Sequence, residues 1–359
     1  MSRKAIFLIG LMIALVVAAV AASIFAYRSA YDAFANDLPI LYEIVAQPQI
    51  QPTSHATSHP NDLIQLPEPW DGKERVNILL LGIDQRMGEK DTCYRTDTMI
   101  VFTLDPVTMQ AGMLSIPRDI WVPIPGFDNN RINTANCLGD TQDYPGGGMA
   151  LAQKTVENFL GVNIHYAARI NFTAFENFVD RIGGIDIDVP EDIYDATYPT
   201  NDYGTEVFSI DKGMQHMDGA TALKYARTRH SGNGDFDRAR RQQQVILAVK
   251  EKLQDPRTMA SLISQAPALL EELRSSVKTD MTLDQIQQLA LLATRIERDK
   301  IKSDVLDQRY TSFATTPEGY EVVIPNREQI ALLRDTLFSS EADAAVENSA
   351  NIAVTPASP

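Results

Sequence analysis

The chain has 359 residues, of which 44% are hydrophobic, and its 32 Lys and Arg against 47 Asp and Glu give a net charge of −15. This hydrophobic fraction excludes a disordered or fibrous protein, and the length allows a substantial buried core. The negative charge argues against a general nucleic-acid binder, because phosphate backbones are held chiefly by Lys and Arg. Two cysteines are too few for a disulfide scaffold, and five histidines make a histidine-built metal site unexpected.

The N-terminal segment predicts a membrane anchor. Residues 5–27 form a run of 23 residues without a charge, and a helix of that length, at about 1.5 Å per residue, spans a hydrocarbon core about 30 Å thick. Arg3 and Lys4 precede the run, so the positive-inside rule places residues 1–4 in the cytoplasm and the rest outside a single-pass cell-membrane helix. A cleaved secretory signal is the alternative, since 19–22 offers small residues, but the run exceeds the usual signal core.

Residues 28–72 predict a stiff, extended, extracytoplasmic spacer. Hydrophobic periodicity is lost over most of this segment, which also contains six prolines, at positions 39, 48, 52, 60, 67 and 69. A folded domain is expected over 73–338, with its motif-bearing core in 75–253 and a helical completion in 254–338. Residues 339–359 predict a disordered tail.

The domain opens with strands that bring charged residues to one sheet edge. Residues 75–84 are a continuous apolar run of strand length that ends at Asp84. Segment 97–104 is followed by a turn with proline at its second position and by a second strand-like run, which predicts a hairpin. If 97–104 runs antiparallel to the first strand, Asp84, Asp97 and Arg118 converge. Ligands commonly bind outside strand carboxyl ends in open α/β sheets, so a site is expected there.

The pattern then alternates helices and strands. Helical periodicity with glycine stops predicts the helices, and short apolar runs predict the strands. The predicted helices are 146–160, 173–182, 219–226 and 237–253, and the predicted strands are 164–172 and 185–189. Past residue 253, the pattern predicts helices at 262–273, 283–296 and 326–338 and a strand at 320–324.

Positive charge is concentrated in residues 224–241. Against two negative residues, Asp235 and Asp237, this stretch has six positive ones, which are Lys224, Arg227, Arg229, Arg238, Arg240 and Arg241.

The spacing within this basic stretch suits an anion. Arg227 and Arg229 share a face if the backbone is extended, and two adjacent guanidinium groups suit one diphosphate. Arg238 and Gln242 lie four residues apart on a helix stripe that continues into apolar residues, so Arg238 is expected to point inward, where it needs an anion or an acid partner. The alternative is that these arginines form structural ion pairs with nearby carboxylates such as Asp235.

Seven motifs follow one another along the chain. They are Asn77-Ile-Leu-Leu-Leu-Gly-Ile-Asp84, Arg95-Thr-Asp-Thr98, Ser115-Ile-Pro-Arg-Asp119, Arg131-Ile-Asn-Thr-Ala135, Gly183-Gly-Ile-Asp186, Asp218-Gly-Ala-Thr-Ala-Leu-Lys-Tyr-Ala-Arg-Thr-Arg229 and Gly234-Asp-Phe-Asp-Arg-Ala-Arg-Arg-Gln-Gln243. In this order and near this spacing, they resemble the LytR-CpsA-Psr family over about 75–253, and an anchor with a spacer is also typical of it. One such motif would carry little weight, whereas seven in order make a chance match implausible.

The resemblance implies an extracytoplasmic phosphotransferase that moves a glycopolymer from a polyprenyl diphosphate carrier onto peptidoglycan. It implies an α/β fold, a three-layer α/β/α domain with a central mixed sheet. Family enzymes use Mg²⁺, which suits a chain with site carboxylates and few histidines. The positions that match the family's site are Asp84, Asp97, Arg118, Arg227, Arg229, Asp235, Arg238 and Gln242, and Arg131 stands where many members carry Lys.

The resemblance and the residue chemistry together assign roles. Arg118, Arg227, Arg229 and Arg238 are expected to hold the diphosphate and stabilise its charge as an acceptor hydroxyl attacks phosphorus. Asp97 is assigned to the metal, whereas Asp84 is a second ligand, an organiser of the arginines or the general base.

Two other functions use the same residues. A metal-dependent pyrophosphatase or phosphodiesterase would take water as its nucleophile, and a noncatalytic envelope regulator would bind the lipid without turnover. The apolar residues after 253 could line a polyprenyl groove, although Leu and Ile at helical spacing are more typical of a core.

Cys93 and Cys137 are expected to form a disulfide. Both cysteines follow the predicted membrane helix at 5–27 and are therefore expected outside the cell membrane. Two cysteines in an oxidising compartment allow one intramolecular pair. Closing a loop of about 45 residues stabilises a chain by about 4 kcal/mol in the chain-entropy model. Two buried free thiols are the alternative.

Overall fold

The computed structural model describes most of the predicted domain. All described residues belong to one compact unit, Ile64–Pro359, and they are residues 74–85, 93–200, 204–255, 257–258 and 276–338. The predicted anchor, spacer, tail and 262–273 helix lie outside the described residues. Among the residues that are described, no helix is long and apolar enough to cross a membrane.

The described chain alternates strands and helices. Its strands are β1 (Val76–Ile83), β2 (Thr96–Asp105), β3 (Gln110–Ser115), β4 (Trp121–Pro123), β5 (Asn129–Arg131), β6 (Tyr166–Asn171), β7 (Ile185–Val189), β8 (Ile193–Pro199), β9 (Thr205–Ile210), β10 (Gly213–Met217), β11 (Val277–Thr279), β12 (Ile301–Val305), β13 (Thr311–Thr315) and β14 (Glu321–Pro325). Its helices are α1 (Thr134–Thr141), α2 (Gly147–Leu160), α3 (Phe172–Arg181), α4 (Gly219–Arg227), α5 (Asp235–Leu253), α6 (Leu283–Arg295) and α7 (Arg327–Phe338), and a short 3₁₀ turn spans Arg298–Lys300.

A six-stranded mixed sheet forms the centre of the domain, in the order β11-β6-β1-β2-β3-β12. The pairs β1–β6 and β3–β12 are parallel, and the other three pairs are antiparallel. This confirms the predicted mixed α/β class. The apolar run that opens the domain is β1, and the predicted hairpin is β2–β3, with boundaries that differ by one residue.

One face of the sheet packs against α2 and α7. Leu79, Leu81 and Met99 point to this face from β1 and β2, and they form a buried cluster with Leu151 of α2 and Leu333 of α7. Because side chains alternate along a strand, the residues between them point to the opposite face. The continuous apolar run of β1 therefore reflects burial on both sides.

The opposite face is covered by α5. Gln243 on this helix donates from Nε2 to Oγ of Ser115, at 2.9 Å, and to the backbone oxygen of Asp304, at 2.7 Å. These bonds attach α5 to β3 and β12. With helices on both faces, the domain has the three α/β/α layers that the resemblance implies.

Strands β8, β9 and β10 form where no strand is predicted from the sequence. Strands β7 and β10 pair, as do β8 and β9, in the region between α3 and α4. Tyr198 and Phe208 point inward from β8 and β9, with ring centroids 5.9 Å apart. Together with Tyr225 of α4 they belong to a second buried cluster. This layer supports the C-terminal end of α4, where Arg227 lies.

Cys93 and Cys137 form a disulfide, with Cα atoms 4.5 Å apart. Beside it, Asn136 donates from Nδ2 to the backbone oxygen of Tyr94 at 2.7 Å. The segment that enters β2 is therefore attached to α1 by a covalent bond and a hydrogen bond. Asp97 is the second residue of β2, so this attachment holds the end of the strand that carries it.

Reduction of the disulfide is expected to lower the free energy of unfolding by about 4 kcal/mol, because the unfolded chain regains the entropy of an open loop. Urea denaturation of the Cys93→Ser/Cys137→Ser double variant measures the loss. Alkylation under denaturing conditions followed by intact-mass analysis is the control, and two alkylated thiols without reductant would show that the bond is absent.

His165 accepts a hydrogen bond that holds the start of β6 to β1. The Asn77 backbone N–H donates to its Nδ1 at 3.0 Å, and the His165 N–H donates to the Asn77 oxygen at 2.9 Å. Burial lowers the pKa of His165 below 6.5, although Glu74 and Glu157 oppose the shift. A protonated Nδ1 cannot accept this bond.

The domain is therefore expected to lose stability as the pH falls below about 6.5, since the unfolded histidine then binds a proton that the folded one does not. The His165→Asn variant keeps an acceptor but no titrating group. Urea denaturation at pH 7.5 and 5.5 should show a larger loss for the wild type than for the variant. Equal losses would contradict the role of His165.

Candidate functional site

A cavity of about 420 Å³ lies between the central sheet and helices α3, α4 and α5. This volume is in the range of small-molecule sites. Six of the nine site residues expected from the sequence line it, and they are Asp84, Asp97, Arg227, Arg229, Arg238 and Gln242.

The pairing of β1 with β2 brings Asp84 and Asp97 to the same sheet edge, as expected. The strands run antiparallel, with Gly82 opposite Thr98, so the end of β1 meets the start of β2. Gly82 is required by this close approach, because a Cβ atom there would lie 2.9 Å from Cβ of Thr98. The two carboxylates form the polar end of the cavity.

Asp97 is bound by Arg118. Nη1 of Arg118 donates to Oδ1 of Asp97 at 2.6 Å. Burial raises the pKa of Asp97, but the charge and hydrogen bond of Arg118, with smaller contributions from Arg238 and Arg229, outweigh burial and leave the pKa below its usual value. Burial likewise opposes the charge of Arg118, whose pKa is nevertheless raised by Asp97. The pair is therefore ionised.

Arg227 pairs with Asp84, as Arg118 pairs with Asp97. Its Nη2 donates to Oδ2 of Asp84 at 3.0 Å, and its Nη1 lies 3.3 Å from the hydroxyl of Tyr198. The guanidinium carbon lies 4.4 Å from the centre of the Phe172 ring. An aromatic face stabilises a cation, so these contacts fix the guanidinium group at the cavity wall.

Arg238 is the buried cation of the site, with only 5% of its surface exposed. Its Nη2 lies 2.9 Å from Asp235 and donates to the backbone oxygen of Asp97 at 2.9 Å. Burial lowers its pKa to about 10, with Arg229 and Arg118 adding to the shift and Asp235 opposing it. Its Nε is buried without a hydrogen-bond partner among the described residues. This guanidinium group has remaining capacity for an anion.

The next two expected residues, Arg229 and Gln242, contact Asp235 and the end of α4. Nε of Arg229, a residue that is 45% exposed at its side chain, lies 3.5 Å from Asp235. Gln242 donates from Nε2 to the backbone oxygen of Ala226 at 3.3 Å, which joins α5 to the end of α4. Asp235 thus holds both Arg229 and Arg238.

Arg131 does not line the cavity. Its Nη2 donates to the backbone oxygen of Glu321 at 2.6 Å, and its Nε lies 3.4 Å from Asp119. Asp119 in turn lies 3.5 Å from Nε of Arg118. Among the described residues, Arg131 is linked to the site through Asp119 and Arg118.

Structural contacts also account for the two arginines that follow Arg238, as ion pairs for Arg240 and as hydrogen bonds to the backbone for Arg241. Arg240 contacts Asp237 at 2.8 Å and Asp307 at 2.5 Å. Arg241 donates to the backbone oxygens of Tyr225 and Thr228. Arg240 therefore holds α5 to the segment after β12, and Arg241 holds α5 to the end of α4 and the following loop. Neither residue lines the cavity, so only part of the basic stretch faces it.

The cavity also has an apolar wall. It is formed by Leu80, Ile100, Ile170, Phe172, Phe175, Leu223, Val245 and Ile246. Within the described residues, none of the cavity lining comes from 254–338, where a groove was considered from the sequence. The signal that could have located the wall is the stripe of α5, because Val245 and Ile246 lie one turn beyond Gln242.

The model of the LytR_cpsA_psr family matches residues 46–338. The chain belongs to the LytR-CpsA-Psr family. It is similar to the polyisoprenyl-teichoic acid–peptidoglycan teichoic acid transferase TagU of Oceanobacillus iheyensis, with 34% identity over 65% of this chain and 67% of that protein. It is also similar to the regulatory protein MsrR of Staphylococcus aureus, with 31% identity over 79% of this chain and 81% of that protein.

Solved structures of relatives agree with the fold. The crystal structure of TagV from B. subtilis is 28% identical, with a TM-score of 0.57 over 74% of this chain and 97% of that one. The structure of TagT bound to LI-WTA is 25% identical, with a TM-score of 0.56 over 75% of this chain and 92% of that one. The three-layer mixed-sheet domain is therefore the fold that this LytR-CpsA-Psr member shares with them.

Sequence reasoning missed two polar residues of the cavity in this LytR-CpsA-Psr member. Asp195 of β8 and His230, which follows α4, both line the cavity, and Nδ1 of His230 lies 3.0 Å from Oδ1 of Asp195. The two residues are far apart in the sequence, and β8 lies in the region whose shape the sequence left open. No local pattern could have paired them.

Proposed function

We propose that this protein transfers a glycopolymer from a polyprenyl diphosphate carrier to peptidoglycan. The observation that supports this most directly is one cavity with an apolar wall and a polar end built from carboxylates and arginines. A lipid diphosphate has a hydrocarbon chain that suits the apolar wall and a charged group that suits the polar end. The chain is a transferase, and its relative TagU is named as a teichoic acid transferase.

The arginines suit the diphosphate. Arg227, Arg229 and Arg238 line the cavity, and Arg118 reaches it through Asp97. Guanidinium groups bind phosphate oxygens through charge-assisted hydrogen bonds and stabilise the charge of the phosphoryl transition state. Buried Arg238 carries most weight, because a cation removed from water gains most from an added anion.

The apolar wall suits the carrier lipid. Leu80 lies two residues before Gly82 on β1, and Ile100, its partner on β2, lies two residues after Thr98. Both line the cavity, so the lining becomes apolar along the strands away from Asp84 and Asp97. Burying hydrocarbon there is favourable by about 25 cal/mol per Å². The diphosphate would then lie at the sheet edge with its lipid along the strands.

Asp84 and Asp97 would hold Mg²⁺. Both line the cavity, and their hard oxygen donors suit this ion, which commonly takes one or two protein carboxylates together with substrate phosphates. Among the described residues, no group of three or more His, Cys, Asp or Glu side chains is placed to hold a metal ion. When bound, the ion supplies positive charge that offsets the diphosphate.

The protein is proposed to act at the outer surface of a cell membrane. The uncharged run at 5–27, preceded by Arg3 and Lys4, supports a single span with a cytoplasmic N-terminus. Protease treatment of intact spheroplasts tests this, because the domain should be digested from outside while remaining attached to membranes until then. A domain protected from external protease would contradict it.

Product analysis separates transfer from its alternatives. The purified full chain is incubated with a polyprenyl diphosphate-linked glycan, Mg²⁺ and peptidoglycan fragments, and the products are identified by mass spectrometry. Transfer gives polyprenyl phosphate and a glycan–peptidoglycan phosphodiester. Glycan phosphate without the adduct would indicate a hydrolase. Donor binding without turnover would indicate a regulator, a class that the name of MsrR keeps open.

Replacing Arg118 by Ala is expected to raise the free energy of the transition state by about 3 kcal/mol, because one cation that stabilises its charge is lost. The value of kcat/KM should then fall more than a hundredfold. The assay is release of polyprenyl phosphate in the presence of acceptor. Circular dichroism and urea denaturation show whether the variant is folded.

Arg298→Ala is the matched control for Arg118. Arg298 also pairs with a carboxylate, Glu251, but both side chains are exposed and neither lines the cavity. Its turnover should equal that of the wild type. Comparable turnover by folded Arg118→Ala would exclude the assigned role.

Replacing Asp97 by Asn is expected to raise the Mg²⁺ concentration needed for half-maximal turnover by about tenfold or more, because one charged oxygen ligand is lost. Donor binding should change much less, since the arginines remain. Mg²⁺ titrations of turnover and calorimetry with donor measure the two effects. Asp119→Asn is the control, because Asp119 contacts the same arginine outside the cavity lining. If Asp97→Asn needs the same Mg²⁺ concentration as the wild type, Asp97 is not a ligand of the ion.

A further inference from the structure

Asp195 and His230 form a carboxylate–imidazole pair in the cavity wall. The Asp195 side chain is 5% exposed, and its Oδ2 accepts from the hydroxyl of Thr228 at 2.7 Å. Its Oδ1 accepts from the backbone N–H of Thr197 at 3.0 Å and lies 3.0 Å from Nδ1 of His230. These contacts fix the carboxylate and orient the ring.

The imidazole is accessible at its other nitrogen. The side chain of His230 is 54% exposed and lines the cavity, and Nδ1 is directed to Asp195. Within the described part of the chain, Nε2 has no hydrogen-bond partner. The negative charge of Asp195, 3.0 Å from Nδ1, favours a proton on that nitrogen and so leaves the lone pair on Nε2, which is the tautomer that a general base requires.

The other ionisable groups of the cavity are poor proton acceptors. Asp84 accepts from Arg227, and Asp97 accepts from Arg118. Asp195 already accepts the bonds described above. The remaining ionisable side chains that line the cavity are arginines, which do not deprotonate in proteins. Imidazole is the side chain suited to accept and release a proton near neutral pH.

We propose that His230 is the general base of the transfer reaction and that Asp195 is its positioning residue. This inference rests on the proposed function, and it names the group that activates the acceptor. The acceptor O–H bond breaks and its proton passes to Nε2, while the acceptor oxygen forms a bond to phosphorus. The bond from that phosphorus to the carrier phosphate oxygen breaks, and polyprenyl phosphate leaves. The imidazolium is stabilised by Asp195 until its proton passes to solvent.

The first test is His230→Gln in the full chain, assayed with donor, Mg²⁺ and peptidoglycan fragments. A missing general base typically costs a factor of about 10² to 10⁴, so kcat should fall at least a hundredfold. KM for the donor should stay within about threefold, because the arginine contacts are intact. A structural role would instead change donor KM or lower the urea midpoint.

The second test is the pH profile of kcat. The wild type should show an acid limb, and loss of the base should remove it. The charged groups that share the cavity with His230 are the same in both proteins, and they are Asp195 from β8, Arg227 and Arg229 from the end of α4 and beyond, Arg238 from α5, and Asp84 and Asp97 from β1 and β2. A difference between the two profiles is therefore assigned to His230. Imidazole added to His230→Ala should restore part of kcat.

His216→Gln is the matched control. His216 also pairs through Nδ1 with a carboxylate, Asp186 at 2.7 Å, and both side chains are more than half exposed. It does not line the cavity, so the variant should keep the wild-type kcat and pH profile. Asp195→Asn should lower kcat while leaving donor KM near that of the wild type. If this buried variant does not fold, the His230 variants decide the result alone.

The outcomes separate the two proposals. A wild type that transfers, with His230→Gln within twofold of its kcat or with an unchanged acid limb, excludes the base and leaves transfer established. A wild type that turns over no donor overturns the proposed function and the base together. A hundredfold loss of kcat, an abolished acid limb and rescue by imidazole would support His230.

Discussion

The ion pairs between two sheet-edge carboxylates and arginines from distant segments hold the site together. Arg118 follows the hairpin and binds Asp97, whereas Arg227 comes 143 residues after Asp84 in the chain. The antiparallel pairing of β1 and β2 makes both contacts possible, because it places the two carboxylates at one edge. The end of α4 and the loop after β3 are thereby fixed against the sheet, and the cavity acquires a rigid polar end.

Charge is nearly balanced at this polar end. Arg118, Arg227, Arg229 and Arg238 pair with Asp84, Asp97, Asp119 and Asp235, so the positive and negative side chains offset one another. A diphosphate therefore adds more negative charge than the protein alone offsets, and a divalent cation would restore the balance. Donor and Mg²⁺ should thus favour each other's binding, since each reduces the electrostatic cost of the other.

The sequence predicts the polar end better than the apolar one. Asp84 and Asp97 could be placed because an apolar strand and a proline turn mark the ends of β1 and β2. The apolar wall could not, since Leu80 lies in a run where every residue is apolar and neither face is distinguished. Asp195 and His230 were missed because β8 and β9 were not predicted, and these strands pair where Tyr198 and Phe208 pack together.

The two faces of β1 and β2 contribute differently to stability. Leu79 and Leu81 pack closely with helices, whereas Leu80 and Ile100 border a cavity of about 420 Å³. Apolar side chains beside empty space forgo the dispersion contacts of a close-packed interior. A lipid that fills the space and binds only the folded state raises stability by mass action. If the cavity takes the proposed carrier lipid, protein with bound lipid should resist heat and proteolysis longer than idle protein, which would be removed first.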